Sequence, residues 1–127
     1  VAKENARLNG VFVDFERSDL FEHVDEMYDV IVSNPPYIPT KVIETLQDEV
    51  RLHDPLLALD GTEDGLMFYR KITEKAREYL KTDGYLCYEI GAEQAADVSE
   101  IMKQAGLRDI TVVKDLAGLD RVVKVII

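Results

Sequence analysis

Hydrophobic positions along this chain fall into two rhythms, and the alternation between them predicts most of its elements. Asp29-Val30-Ile31-Val32-Ser33 has β-branched residues without alternation, the pattern of a strand covered on both faces, as in a parallel sheet flanked by helices. Leu66, Tyr69, Ile72, Ala76, Tyr79 and Leu80 recur at helical spacing, which predicts an amphipathic helix over residues 66 to 81. Asp83-Gly84 then turns the chain into a strand, Tyr85-Leu86-Cys87-Tyr88-Glu89-Ile90. Ala95, Val98, Ile101, Met102 and Ala105 mark a second amphipathic helix, stopped by Gly106.

The flanking segments obey the same logic. Residues 1 to 9 read as the tail of a helix closed by Gly10, and Val11-Phe12-Val13-Asp14-Phe15 as the next strand. Thr40 is expected to cap a short helix running through Val42, Ile43 and Leu46, ahead of an irregular segment from His53 to Leu59 and an acidic turn from Asp60 to Gly65. Ile110 to Val113 and Val122 to Ile127 read as an antiparallel pair joined through Asp115 to Arg121. Strands alternating with helices and closed by a hairpin describe an α/β layered sheet, with no repeat, low-complexity tract or internal linker.

Composition narrows the class of partner. The 127 residues, 46% hydrophobic, suffice for one buried core. A formal charge of −10, from 25 acidic against 15 basic residues, works against binding a phosphate backbone. One cysteine, Cys87, excludes an internal disulfide framework and suits a reducing cytoplasm; it reads as a small buried hydrophobe. No apolar run approaches the roughly 20 residues needed to span a bilayer, so a soluble, cytoplasmic protein with no membrane partner is expected. His23 and His53 stand apart with no further ligand at metal-binding spacing, so no metal site is expected. Asp60 to Gly65 superficially resembles a calcium loop, but its third position is Thr62 and its twelfth is Lys71, where that loop requires a bidentate Glu. A turn capping the next helix is the better account.

The candidate chemistry sits where the apolar run meets Asn34-Pro35-Pro36-Tyr37. Ligands of open α/β sheets bind beyond the carboxyl ends of the strands, which is where this turn lies. Each proline lacks an N–H and drives the residue before it into extended conformation, so Asn34 and Pro35 cannot begin a helix. A rigid rim of acceptors results: the Asn34 side-chain oxygen and the Pro35 carbonyl. Two acceptors side by side suit a planar NH2 group, on which Tyr37 could stack a flat face. Accepting both N–H bonds favours pyramidalisation of an otherwise delocalised nitrogen and frees its lone pair for an in-line transfer. The plain alternative is a stiff turn, since Asn-Pro and Pro-Pro are common loop signals.

These residues resemble the AdoMet-dependent amino methyltransferases, whose [Asp/Asn]-Pro-Pro-[Tyr/Phe] motif serves adenine, cytosine or glutamine. The series Asn5-Ala6, Ser18-Asp19-Leu20-Phe21, Val32 to Ile38, Pro55-Leu56-Leu57-Ala58-Leu59, Asp64-Gly65-Leu66 and Asp120-Arg121 is, in order and spacing, similar to the HemK/PrmC family. The likeness covers essentially the whole chain. It implies a protein-(glutamine-N5) methyltransferase acting on the Gly-Gly-Gln glutamine of peptide-chain release factors, with S-adenosyl-L-methionine (AdoMet) as cofactor. It implies that Asn34 and Pro35 hold the glutamine amide, that Pro36 and Tyr37 shape its site, and that Asn34 faces the AdoMet methyl group. Asp19 and Leu20 would touch the cofactor adenine, Leu20 standing where an aromatic residue is usual. Asp54-Pro55 replaces the family's usual Glu-Pro, and Glu89, ending a strand on the same edge as Asn34, takes a supporting role at most.

One family signature is missing from the chain. None of the seven glycines forms a G-x-G, the glycine-rich turn AdoMet folds carry after their first strand. The expectation is a truncated Rossmann-like class I methyltransferase sheet, in which residues 1–127 are the C-terminal part of a single catalytic domain. The implied strand order 3-2-1-4-5-7-6 then loses its strands 1 and 2. Residues 29 to 127 should keep the 4-5-7-6 half, while 11–15 packs improperly, pairs with the free edge of 29–33, or pairs with another copy. Two other functions stay open: an amino methyltransferase of DNA or RNA bases, and a non-catalytic α/β interaction module. Whether the substrate is a release factor or a ribosomal protein is open as well.

Overall fold

The structure, a computed structural model, describes residues 1–46 and 55–127. In chain order its elements are α1 (Ala2–Leu8), β1 (Tyr28–Ser33), α2 (Thr40–Ile43), α3 (Leu56–Leu59), α4 (Met67–Tyr79), β2 (Leu80–Glu89), α5 (Ala95–Gln104), β3 (Arg108–Lys114) and β4 (Asp120–Ile126). The four strands form one sheet in the order β1-β2-β4-β3. β1 runs parallel to β2, while β2–β4 and β4–β3 are antiparallel. This is the half-sheet with terminal hairpin that the sequence predicts.

Side-chain alternation sorts the sheet into two faces. Leu86, Tyr88, Ile90, Val123 and Val125 are at most 1% exposed and join Tyr69, Ile72 and Ala76 of α4 and Val98 and Met102 of α5 in one core. Thr73, a buried polar side chain beside that core, shares a 2.8 Å hydrogen bond with the Tyr88 hydroxyl. Tyr69 meets Tyr88 edge to face, with ring centroids 5.1 Å apart, the geometry ring quadrupoles prefer. Helix α4 begins where Asp64 accepts the Leu66 amide at 3.0 Å and pairs with Arg70, so the acidic turn does serve the helix after it. Helix α4 passes directly into β2 at Leu80, so Asp83-Gly84, expected to be the turn before the strand, lie within it, where the register to β1 shifts between Tyr28 and Val30; a Cβ on Gly84 would lie 2.8 Å from the Lys81 carbonyl, so only glycine fits there.

Four further expectations are corrected. Residues 11–15 form no strand: among the described residues they pair with nothing, and Val11, Phe12, Val13 and Phe15 are 41–90% exposed. An extended segment becomes a strand only with a ladder partner, and among the described residues 11–15 has none. The run 29–33 is covered on one face rather than two, since Val30 and Val32 are 49% and 74% exposed while Ile31 packs on the core. Among the described residues, its edge away from β2 carries no strand. Thr40 is not the cap of α2 but its first residue, Pro39 preceding it; the Thr40 hydroxyl instead donates to Asp60 at 2.7 Å. Leu56–Leu59, expected to be irregular, makes a single helical turn. Asp54 and His53 lie outside the described residues.

Candidate active site

Strand β1 ends at Ser33, opposite Tyr88, and delivers Asn34 at the carboxyl edge of the sheet. Asn34 is exposed, Pro35 buried, and Pro36 and Tyr37 half-buried. Prolines at 35 and 36 lock two successive φ angles, which makes the turn stiff before any contact is counted. The residues after the turn are fastened by hydrogen bonds. The Ile38 amide donates to Leu59 at 3.1 Å, Ile38 accepts from Gly61 at 2.9 Å, and the Thr40 amide donates to Thr62 at 3.0 Å. Ile38 and Asp60 form an isolated parallel bridge.

Against that fastening, two groups stand out. Among the described residues, neither the Asn34 side chain nor the Pro35 carbonyl receives a hydrogen bond, whereas the carbonyls of Tyr37 and Ile38 both do. Pro35 is buried, where a carbonyl normally finds a partner, whereas the Asn34 side chain is exposed and open to an incoming group. Here a rigid frame presents two acceptors, the chemical complement of one NH2 group.

Tyr37 does not offer a freely exposed ring. It packs against the core, and a Cβ on Gly91 would lie 3.3 Å from its Cδ2. Beneath the turn, Tyr69 donates from its hydroxyl to the Glu89 carbonyl at 2.8 Å. Burial pushes the Tyr69 phenol well up, and neighbouring Tyr37 and Glu89 add to the effect, so this hydroxyl is a fixed donor rather than an acid. Glu89 thus contributes its backbone to the support of the site. Arg121, of the late Asp120-Arg121 pair, braces the same edge: its Nη1 donates to the Ile90 carbonyl at 3.2 Å and its Nε to Asp115 at 3.3 Å.

Asp19 and Leu20 are not brought to this turn. Ser18 organises their loop, its hydroxyl donating to the Leu20 carbonyl at 3.0 Å and accepting the His23 amide at 2.9 Å, with Leu20 in the left-handed region at φ 51°. Phe21 stacks on Tyr79 at 4.4 Å and 2° between planes. Tyr79 precedes Leu80, which pairs with Tyr28 at the start of β1, whereas Asn34 comes after the end of β1. A concavity lined by Asp19 to Glu22, Lys71, Glu74, Lys75 and Tyr79 therefore contains none of Asn34 to Tyr37. Among the described residues no cluster of His, Cys, Asp and Glu could hold a metal ion, and no helix is long and apolar enough to cross a membrane.

One participant was invisible in the sequence. Gln94, just ahead of α5, reaches the Tyr37 carbonyl with Nε2 at 2.9 Å. Its contact spans 57 positions, beyond any local pattern; Gly91, three residues earlier at a strand end, was the available hint.

Comparison with known proteins bears on this geometry. A family model described as Methyltransferase small domain matches residues 1–51. The release factor glutamine methyltransferase of Agrobacterium fabrum is 47% identical over 123 residues, 95% of this chain and 43% of that protein. That of Geobacter sulfurreducens is 46% identical over 124 residues, 97% of this chain and 44% of that protein. The chain thus spans less than half the length of these curated relatives. Among solved structures, a Pyrococcus furiosus methyltransferase superposes with TM-score 0.66 at 18% identity, over 98% of this chain and 54% of that one, which supports the fold. The protein-(glutamine-N5) methyltransferase (release factor-specific) of Alicyclobacillus acidocaldarius gives TM-score 0.50 at 29% identity, over 79% of this chain and 48% of that one. A mixed sheet with these neighbours is a truncated class I methyltransferase fold.

Proposed function

The chain belongs to the family of release factor glutamine methyltransferases, and on that premise we propose that the protein carrying it moves a methyl group from AdoMet to the side-chain amide nitrogen of glutamine. The acceptor is the glutamine of the Gly-Gly-Gln motif in peptide-chain release factors. On this reading residues 1–127 are the C-terminal part of one methyltransferase catalytic domain and supply its acceptor side. The observation that carries the proposal is the pair of acceptors without a partner among the described residues, the Asn34 side chain and the Pro35 carbonyl, on a turn stiffened by two prolines and fastened from Tyr37 onward, where the carbonyls of Tyr37 and Ile38 are hydrogen-bonded.

Each acceptor takes one N–H of the glutamine amide. A nitrogen so held turns its lone pair out of the amide plane and toward the methyl donor, and fixed orientation of reacting groups is worth several kcal/mol. Asn34, exposed at the strand end, orients the amide, while Pro35, buried, cannot yield. Pro36 and Tyr37 shape the wall beside it.

Asp19 and Leu20, the positions proposed to meet the adenine, line a concavity with Lys71, Glu74, Lys75 and Tyr79. AdoMet supplies an electrophilic methyl on a sulfonium when bound. The 127 residues by themselves are expected to transfer no methyl.

The test uses the full protein carrying this chain, a Gly-Gly-Gln peptide and an adenine-containing oligonucleotide as competing acceptors. Methylated glutamine with an unmodified oligonucleotide is expected, as the charge of −10 suggests. Asn34→Ala should lower kcat/KM by about two orders of magnitude, the scale of one lost orienting hydrogen bond at a reacting centre. Full turnover by Asn34→Ala would reduce the turn to a packing feature, and methylated adenine would move the protein to the base-modifying enzymes.

A further inference from the structure

Three separate segments meet on one side chain beneath the acceptor turn. Gln94 Nε2 donates to the Tyr37 carbonyl at 2.9 Å and to the Gly65 carbonyl at 3.4 Å, while its Oε1 accepts the Gly91 amide at 2.9 Å. The orientation of this amide is dictated by chemistry: the end that faces two carbonyls must be NH2, and the end that faces an N–H must be oxygen. No other residue type of this length offers two donors and one acceptor in one plane.

The surrounding glycines leave space for that arrangement. Gly65 has φ +74°, and a Cβ there would lie 2.4 Å from the Tyr37 oxygen and 3.0 Å from Gln94 Nε2. A Cβ on Gly61 would lie 2.7 Å from the Gly65 Cα and 2.8 Å from that of Tyr37, and one on Gly91 would lie 2.9 Å from Gln94 Oε1. Substitution at any of the three would push the Tyr37 backbone or the Gln94 amide aside.

We propose that Gln94 is a positioning residue for the acceptor: by holding the Tyr37 carbonyl, it aims the Pro35 carbonyl and the Asn34 side chain at the incoming NH2 group. The inference rests on the glutamine-amide reading above and adds what sets the direction of its acceptors. Pro35 and Pro36 lock their φ angles and Ile38 is bonded at both its amide and its carbonyl. The Tyr37 peptide is the remaining hinge, and Gln94 closes it. The ladder residues of β1 fix where the turn starts; Gln94 fixes which way it faces.

The test compares wild type, Gln94→Met and Gln94→Glu in the full protein carrying this chain. It reads amide hydrogen exchange at Ile38 and Gly91, with β4 amides as an internal reference, and kcat and KM on a Gly-Gly-Gln peptide. Gln94→Met keeps the volume and loses every hydrogen bond, so exchange at Ile38 and Gly91 should rise about tenfold or more with β4 unchanged, the scale of one hydrogen bond. kcat should fall about tenfold with KM nearly constant, as expected when orientation rather than affinity is lost. At Ile38, Gln94→Glu should match Gln94→Met near pH 8, where a carboxylate faces two carbonyls, while at Gly91 the carboxylate still accepts the amide. It should approach wild-type exchange as the pH falls toward about 5, where protonation begins to restore a donor.

A space-filling role predicts exchange equal to wild type in both variants at every pH, and that result overturns the inference. If exchange rises in the variants while the wild type leaves glutamine unmethylated, the Gln94 clamp is supported and the acceptor assignment falls. If wild-type methylation is intact and exchange does not move, the clamp falls and the acceptor reading stands.

Discussion

The two faces of the sheet are built from the same four strands and meet opposite surroundings. On one, Leu86, Tyr88, Ile90, Val123 and Val125 lie beneath α4 and α5. On the other, Val30, Val32, Tyr85 and Ile126 are 39–74% exposed. Side-chain alternation assigns each strand residue to one face or the other, so adjacent residues of equal hydrophobicity, such as Ile31 and Val32, differ only in which helices lie above them. Apolar content alone does not distinguish a packed face from a bare one. An exposed run of valine, tyrosine and isoleucine marks a surface suited to contact, and the acceptor turn hangs from the strand where the two conditions meet.

The largest effect that tests this contrast is a cavity. Leu86→Ala on the covered face removes a side chain with no exposed surface and should destabilise the chain by about 2–5 kcal/mol. Val32→Ala on the open face should shift stability by about 0.5 kcal/mol or less. Urea denaturation of both variants compares them directly. Equal losses would mean that something covers Val32 in solution.

A smaller effect probes how the covered face handles its polar atoms. Thr73 and Tyr88 satisfy each other at 2.8 Å, and burial pushes the Tyr88 phenol up, opposed in part by the Thr73 bond. Thr73→Val keeps the shape and leaves a buried hydroxyl alone, which should cost about 1–3 kcal/mol. Adding Tyr88→Phe removes the orphaned group and should recover most of that loss. A double variant no more stable than Thr73→Val would show that the hydroxyl reaches water, and that this face is less closed than its packing indicates.

How far the sequence could be read obeys the same division. The covered face was legible because α4, α5 and the hairpin carry strong periodicities that do not depend on distant partners. The Asn34 turn was legible because proline restricts its own backbone wherever it stands. What failed were readings that needed a neighbour: the strand at 11–15, which has no ladder among the described residues, and the second cover on 29–33, inferred from a run that specifies strand but not surroundings. Gln94 was missed for the complementary reason, its role being set by hydrogen bonds to residues 29 and 57 positions away. The same distance explains Thr40, whose hydroxyl binds Asp60 in place of its own helix.

The smallest perturbation that reports on the open face is chemical. Cys87 sits opposite Lys124 on that face and is half-buried. Burial pushes its thiol up, an effect the Lys124 ammonium only partly offsets, so less thiolate is present near neutral pH than for a free cysteine. Because the thiolate is the reactive species, alkylation by iodoacetamide should be slower in the folded chain than in urea. The rate should rise about tenfold per pH unit until the thiol titrates, since below its pKa the thiolate fraction grows tenfold per unit. Reaction as fast as in urea would show that β2 opens locally and would weaken the contrast at its centre. Complete protection that disappears on dilution would show that the face is open only in the single chain, and that a second copy covers Val30, Val32 and Tyr85 at higher concentration.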